Sequence, residues 1–154
     1  WISVIYLNFA EAKAEMGSLT QDYLNNSINK LQARAGLPAM TTTPDADPAN
    51  NMGVSNLIWE IRRCRRCELI MDNWYRYWDL IRWHQLDKLD STKYPNTMLG
   101  ANVSNVPDCE EATKNGYIDA SDAQIRTYEA KHYFYPIPTT QLTLNKNMKQ
   151  NPGW

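Results

Sequence analysis

Leu24, Ile28, Leu31 and Ala35 recur four, three and four positions apart, and the run stops at Gly36-Leu37-Pro38. An α-helix makes a turn every ~3.6 residues, so this spacing lays a single apolar stripe along one face. Glycine accepts the left-handed backbone that closes a helix, and the proline two positions on cannot continue one. Upstream, Trp1 to Met16 is rich in Ala, Leu and Glu, with Asn8, Glu11 and Glu15 marking a polar side and Gly17 ending it. Ser18 or Thr20 supplies a cap for the helix that follows. Two helices joined by so few residues are expected to fold back as an αα-hairpin over residues 1–38.

The remaining chain reads as further helices and then loops. Met40 to Gly53 is rich in Thr, Pro, Asp and Asn and reads as a loop. From Val54 to about Asn73 the pattern is helical, with Leu57, Ile58, Ile61, Cys64 and Leu69 on one side. Trp74 to roughly Leu89 reads as another helix, dense in Trp and Tyr. Scattered Gly, Asn, Pro and Ser make Pro95 to Asn115 an expected irregular surface excursion. Tyr117 to Tyr135 carries no decisive period, although Tyr133-Phe134-Tyr135 before Pro136 suggests a short extended piece. The tail from Asn145 to Trp154 is polar. No repeat recurs at a fixed period, but the helix-turn-helix pairs resemble the unit of tetratricopeptide arrays. The expected fold class is therefore mainly α: helix pairs with long irregular loops, a hairpin at 1–38, helices over about 54–89 and a loop-rich region at 90–154. Trp1 opens an apolar helix with no capping residue ahead of it, so that helix is expected to continue from a longer chain.

Charge and composition exclude several classes. Sixteen basic and seventeen acidic side chains leave a net charge of −1, which argues against nucleic acid as a partner. Mean hydropathy is −0.60 and no apolar run is long enough to span a bilayer. Six Trp and nine Tyr against two Phe favour half-wet surfaces, either a sugar-stacking groove or a polar interface. Three cysteines, Cys64, Cys67 and Cys109, do not make a disulfide scaffold. Cys64-Arg65-Arg66-Cys67 spells C-x-x-C, but a redox pair is expected beside a strand. A zinc site would need ligands that Cys109, His84 and His132 do not supply at motif spacing. Ordinary helix cysteines are the expectation, with no metal and no cofactor.

Arg62, Arg63, Arg65 and Arg66 crowd one helix, with Glu60 and Glu68 at reach of Arg63 and Arg65, and Arg76, Asp79 and Arg82 following on the next. The expected use is a network of interhelical Arg–carboxylate pairs and Arg–Trp stacking, with an anion site as the alternative. The strip from Tyr75 to His84 suits a sugar surface, yet a helix aromatic most of the way round is more often buried between neighbours. His84 and His132 read as structural histidines. No nucleophile elbow, zinc-protease, P-loop or dinucleotide signature is present, so no enzyme is expected.

Five blocks together carry a resemblance: Tyr6-Leu7-Asn8-Phe9-Ala10-Glu11-Ala12, Asn29 through Pro38, Ile61 through Leu69, Arg76-Tyr77-Trp78-Asp79-Leu80-Ile81-Arg82-Trp83, and a closing set. The closing set is Tyr135-Pro136-Ile137-Pro138, then Leu144-Asn145, then Gln150-Asn151-Pro152-Gly153-Trp154. In this order they resemble the SusD/RagB family of outer-membrane nutrient-binding lipoproteins. Cys64 departs from the family pattern by standing where a Glu is usual. Asn73 replaces a usual Gly, and one extra residue lies between Leu69 and Arg76.

The resemblance implies the C-terminal portion, over 1–154, of a SusD-like helical fold. It implies a non-enzymatic protein that captures oligosaccharides, or in some members peptides, at the cell surface. It also implies a lipid anchor in the outer membrane, lying outside these residues, and a TonB-dependent, SusC-like transporter as partner. A helical module that docks the transporter without holding a small ligand is the alternative. On this reading Arg62, Arg65, Arg66, Glu68, Arg76, Asp79 and Arg82 are structural, and the ligand site lies largely upstream. Tyr94 and Tyr117, aromatics outside the helices, are the candidate stacking residues of this portion.

Overall fold

The computed structural model describes residues 1–72, 74–107, 113–119 and 124–154, and divides the chain into two units, Trp1–Trp78 and Asp79–Trp154. Asn73 and Cys109 lie outside the described residues, as do parts of the segments 95–115 and 117–135.

In the first unit, helix α1 (Ile2–Glu15) ends where Gly17 turns left-handed at φ 65°. That turn lets the Gly17 amide reach the Ala14 carbonyl at 3.0 Å and the Ser18 amide reach Lys13 at 2.9 Å, satisfying carbonyls the helix leaves open. The helix expected along the apolar stripe is not continuous. It splits into α2 (Gln21–Asn25), capped by the Thr20 hydroxyl, and α3 (Ile28–Arg34). The break falls on Asn26-Ser27, where side chains compete for backbone groups. Asn26 Nδ2 donates to the Asp22 carbonyl at 3.0 Å and Ser27 Oγ to the Tyr23 carbonyl at 2.6 Å. The stripe survives the break at Leu24, Ile28 and Leu31, which are buried, but Ala35 is exposed.

Helix α4 (Asn56–Glu68) starts on a Ser55 cap, its hydroxyl accepting from the Ile58 amide. It packs on α1, which also packs on α3. Leu7, Ala10, Leu24, Ile28, Leu31, Met40, Ile61 and Leu69 form the core between them. Met40 enters that core from the loop because buried Asn29 grips its backbone, accepting from the Met40 amide at 2.7 Å and donating to its carbonyl at 3.1 Å. The expected helix to Asn73 stops at Glu68, and Met71 and Trp74 then both adopt left-handed backbone at φ 63° and 61°.

Helix α5 (Tyr75–Arg82) spans the division between the units, and it too is shorter than its pattern predicts. His84 at φ 53° takes the closing role that glycine usually fills. Its amide bonds to Ile81 at 3.0 Å and the Gln85 amide to Leu80 at 2.8 Å, and a 3-10 turn, Leu86–Leu89, follows. In the second unit Tyr133 holds that end. Its ring lies 5.1 Å from the His84 ring and its hydroxyl accepts from the Leu86 amide.

The segment 95–115, expected to be irregular, contributes β1 (Leu99–Asn102) and β2 (Thr113–Lys114), and the stretch from Tyr117, which carried no decisive period, contributes β3 (Tyr117–Asp119); they form a small antiparallel sheet in the order β1-β3-β2. Strands this short show no alternation, and Gly100 looks like loop composition. Gly100 is instead a close-approach residue: a Cβ there would lie 2.8 Å from the Ile118 carbonyl oxygen. After a 3-10 turn (Ala130–Tyr133), the extended Phe134 and a short helix α6 (Thr139–Leu144), the tail folds back. Gln150 acts as a surrogate strand for Ile137, accepting from its amide at 2.8 Å and donating to its carbonyl at 3.0 Å. Asn151 Nδ2 donates to Tyr135, and the Trp154 indole N–H to the Phe134 and Lys131 carbonyls.

Candidate functional site

The arginines of α4 point to different partners. Arg62 crosses to α1, with Nε 3.2 Å from Glu11 and Nη2 3.1 Å from Glu15. Buried Arg65 reaches Asn8 Oδ1 at 2.7 Å, with its guanidinium 5.7 Å from the Tyr75 ring centre. Arg63 makes two bonds to Glu60, at 2.7 and 2.5 Å, which raise its pKa. Glu68 bonds Arg34 of α3 at 2.5 and 2.7 Å, in place of the expected Arg65. Arg66 is exposed and forms no ion pair among the described residues. Arg62, Arg63 and Arg65 each turn to a different partner, so among the described residues these three do not converge as the anion site considered as the alternative would require.

Between α3, the strap Leu37–Asp45 and α4 lies a groove of about 760 Å³. Its floor is apolar, built from Leu7, Ile28, Leu31 and Met40, and its rim carries Gln32, Asp45, Glu60, Arg63 and Glu68. Both thiols of the C-x-x-C line it. Cys64 is held by Gln32 Nε2, 3.1 Å from its sulfur. Burial, then the Glu60 charge, pushes its thiol up to about 12, whereas Cys67 is exposed. The volume is that of a small-molecule cleft, yet no aromatic ring lines it, so it offers no face for stacking a sugar. Sequence reading missed this groove because α4 and Leu7 of α1, which complete it, lie far along the chain from α3 and the strap that follows it.

On α5, the expectation of burial all round is corrected. Asp79 and Leu80 of the helix and Trp83 just after it are buried, while Trp78 and, just ahead of the helix, Trp74 are 54% and 80% exposed. Arg76 is half-buried on the same helix. In the second unit, Arg82 Nε sits 2.8 Å from Asp79 Oδ1 and its guanidinium lies 4.6 Å from the Trp83 ring centre. Tyr94 is half-buried ahead of the 3-10 turn Pro95–Met98, with Lys88 Nζ 5.4 Å from its ring centre. Tyr117 is half-buried on β3, opposite Asn102 and Lys114. No ring contact joins the two tyrosines among the described residues.

Close to Tyr94, buried Asp90 ties down the chain. It accepts from the Thr92 hydroxyl at 2.5 Å, the Thr92 amide at 2.9 Å and the Tyr128 amide at 3.1 Å. Those bonds, led by the Thr92 hydroxyl and then the Tyr128 amide, lower its pKa to about 2. Burial, with Tyr133 alongside, pushes the Tyr128 phenol upward. Among the described residues, no group of three or more His, Cys, Asp or Glu is placed to hold a metal ion, and no helix is long and apolar enough to cross a membrane.

A chain whose described residues are mostly helix and loop, with a core packed between α1, α3 and α4, is a mainly helical protein with irregular excursions. The chain belongs to the SusD family, whose sequence model matches residues 3–154. It is similar to BT4246, a SusD-like Bacteroides protein. To a selenomethionine form the identity is 28% and the TM-score 0.63, and to a second structure 26% and 0.61. These likenesses cover 99% of this chain but only 24% and 23% of the other, so the chain spans about a quarter of that protein. Among curated proteins none matches.

Proposed function

We propose that this chain is part of a cell-surface protein that captures a nutrient, an oligosaccharide or a peptide, for import by a TonB-dependent, SusC-like transporter. The observation that carries the reading is the family match from residue 3 to residue 154. On this proposal the protein is held at the outer face of the outer membrane by a lipid anchor outside these residues, and it performs no chemistry on what it binds. The residues seen here serve as frame: Arg62 and Arg65 tie α4 to α1, and Arg82 with Asp79 fixes the end of α5. Tyr94 and Tyr117 are the proposed stacking residues, each presenting a half-buried ring outside the helices.

Affinity electrophoresis of the full-length protein through gels containing a panel of polysaccharides, with peptides assayed alongside, tests the proposal. Retardation by at least one glycan, or binding of a peptide, is expected. Tyr94→Ala and Tyr117→Ala each weaken that binding several-fold if their rings stack on the ligand. Failure to bind any member of the panel overturns nutrient capture, and turnover of a bound glycan overturns the non-enzymatic part. Recovery of a transporter from outer-membrane extract, with no ligand bound, favours the docking module instead.

A further inference from the structure

Cys64 and Cys67 are one helical turn apart, both line the groove between α3 and α4, and both are free thiols. Side chains three apart on a helix are neighbours, with Cβ atoms roughly 5–6 Å apart. A disulfide needs about 3.5–4.5 Å, so the helix must tighten before the two sulfurs bond. The position makes that tightening inexpensive. Cys67 lies in the last turn of α4, which ends at Glu68, and last turns of helices commonly tighten to 3-10 bonding. In a 3-10 helix the side chains at i and i+3 eclipse, which is the approach a disulfide requires.

From this juxtaposition we propose that Cys64 and Cys67 form a reversible dithiol–disulfide site on the groove wall, oxidised by exchange with low-molecular-weight disulfides. The exposed Cys67 thiolate attacks one sulfur of the reagent RSSR, forming a mixed disulfide and releasing RS⁻. Cys64 then gives up its proton to solvent, and its thiolate attacks the Cys67 sulfur and expels the second RS⁻. The sum is one RSSR and two cysteine thiols going to one intrachain disulfide and two RSH, with the protein oxidised and the reagent reduced. The unequal burial of the two sulfurs fits this order. The groove admits the reagent to Cys67, while Cys64, held by Gln32, waits as the resolving thiol. Glu68 shares the tightening turn and bonds Arg34, so the reaction acts at the groove mouth.

The test treats the full chain carrying Cys109→Ser with 5,5′-dithiobis(2-nitrobenzoate), which releases one coloured thiolate for each exchange step. Two thiolates per chain are expected, with no adduct retained by mass spectrometry, and the second release should be first-order and independent of reagent concentration. Trypsin cuts after Arg65 and Arg66, so the product should appear as two peptides linked through Cys64 and Cys67. With Cys64→Ser added, one thiolate and a retained adduct are expected. With Cys67→Ser added, release from the folded chain should slow at least tenfold. One thiolate with a permanent adduct on the Cys109→Ser chain overturns the proposal, as do two retained adducts.

Discussion

The two units are held together by different kinds of interaction. Trp1–Trp78 buries a run of aliphatic side chains from α1, α2, α3 and α4 around Ile61, which is wholly inaccessible. Asp79–Trp154 buries only Leu80, Trp83 and Leu86 among its described apolar side chains. Its order comes from side chains that bond backbone: Gln150 to Ile137, Asn151 to Tyr135, Asp90 to Thr92 and Tyr128, and Trp154 to Phe134. Apolar burial is non-directional and tolerates repacking, whereas a directed bond is lost whole when its donor or acceptor goes. The first unit should therefore fail at core positions and the second at amide and carboxylate positions.

The largest effect is expected from Ile61→Ala, which removes three carbons from the centre of the first core and should cost about 3 kcal/mol. Urea denaturation, with amide exchange read on α1 and α4, measures it, and a loss under about 1 kcal/mol would mean the core collapses around the gap. Gln150→Ala comes next. It deletes both bonds to Ile137 and the one from the Asn151 amide, 2.9 Å away. At about 0.5–1.5 kcal/mol for each bond, a loss of about 2 kcal/mol is expected, with faster exchange at the Ile137 amide. Gln150→Leu, which keeps the bulk, should do no better, and if it restores stability the comparison between the units breaks.

These positions differ in how far the sequence announced them. Gly17 and Gly36 marked helix ends because the left-handed turn is local chemistry, readable from one residue. The split at Asn26-Ser27 was hidden because the apolar stripe keeps its spacing across it, and only hydroxyl and amide bonds to the preceding turn reveal the break. His84 was illegible for the opposite reason. A histidine gives no warning of positive φ, and what sustains it is Tyr133, almost fifty positions away. The same distance problem hid the choice of Arg34 by Glu68 and the whole of the groove. The family was legible because it is written in ordered blocks. The candidate site was not, because half-buried rings such as Tyr94 and Tyr117 look the same in sequence whether they stack on a ligand or anchor a loop.

Acid should expose the second unit through Asp90. Its carboxyl titrates at about 2 in the fold, below the ~3.9 of an unfolded aspartate. A depressed pKa contributes stability that is complete above the unfolded value and is lost as pH falls through the folded one. Amide exchange at Thr92 and Tyr128 should thus be flat above about pH 5 and, corrected for its intrinsic pH dependence, should rise between about pH 4 and pH 2. Asp90→Asn should abolish that step. A step that persists in the variant would assign it to another carboxylate and remove Asp90 from the account.

The smallest effect should come from a short but exposed ion pair of the first unit. Arg34 and Glu68 lie at 2.5 Å, but the Arg34 side chain is 63% exposed. Water screens such a pair, and holding a long side chain in one geometry costs entropy, so Arg34→Ala should change stability by about 0.5 kcal/mol or less. Arg62 is the informative contrast within the same unit, since its side chain and that of Glu11 are both nearly inaccessible at a longer 3.2 Å. Arg62→Ala removes a pair that water screens little, so it should destabilise the first unit by more than Arg34→Ala does. If instead Arg34→Ala proves the more damaging of the two, distance outranks burial here, and the arginine lattice would have to be counted with the directed bonds of the second unit and not with the core.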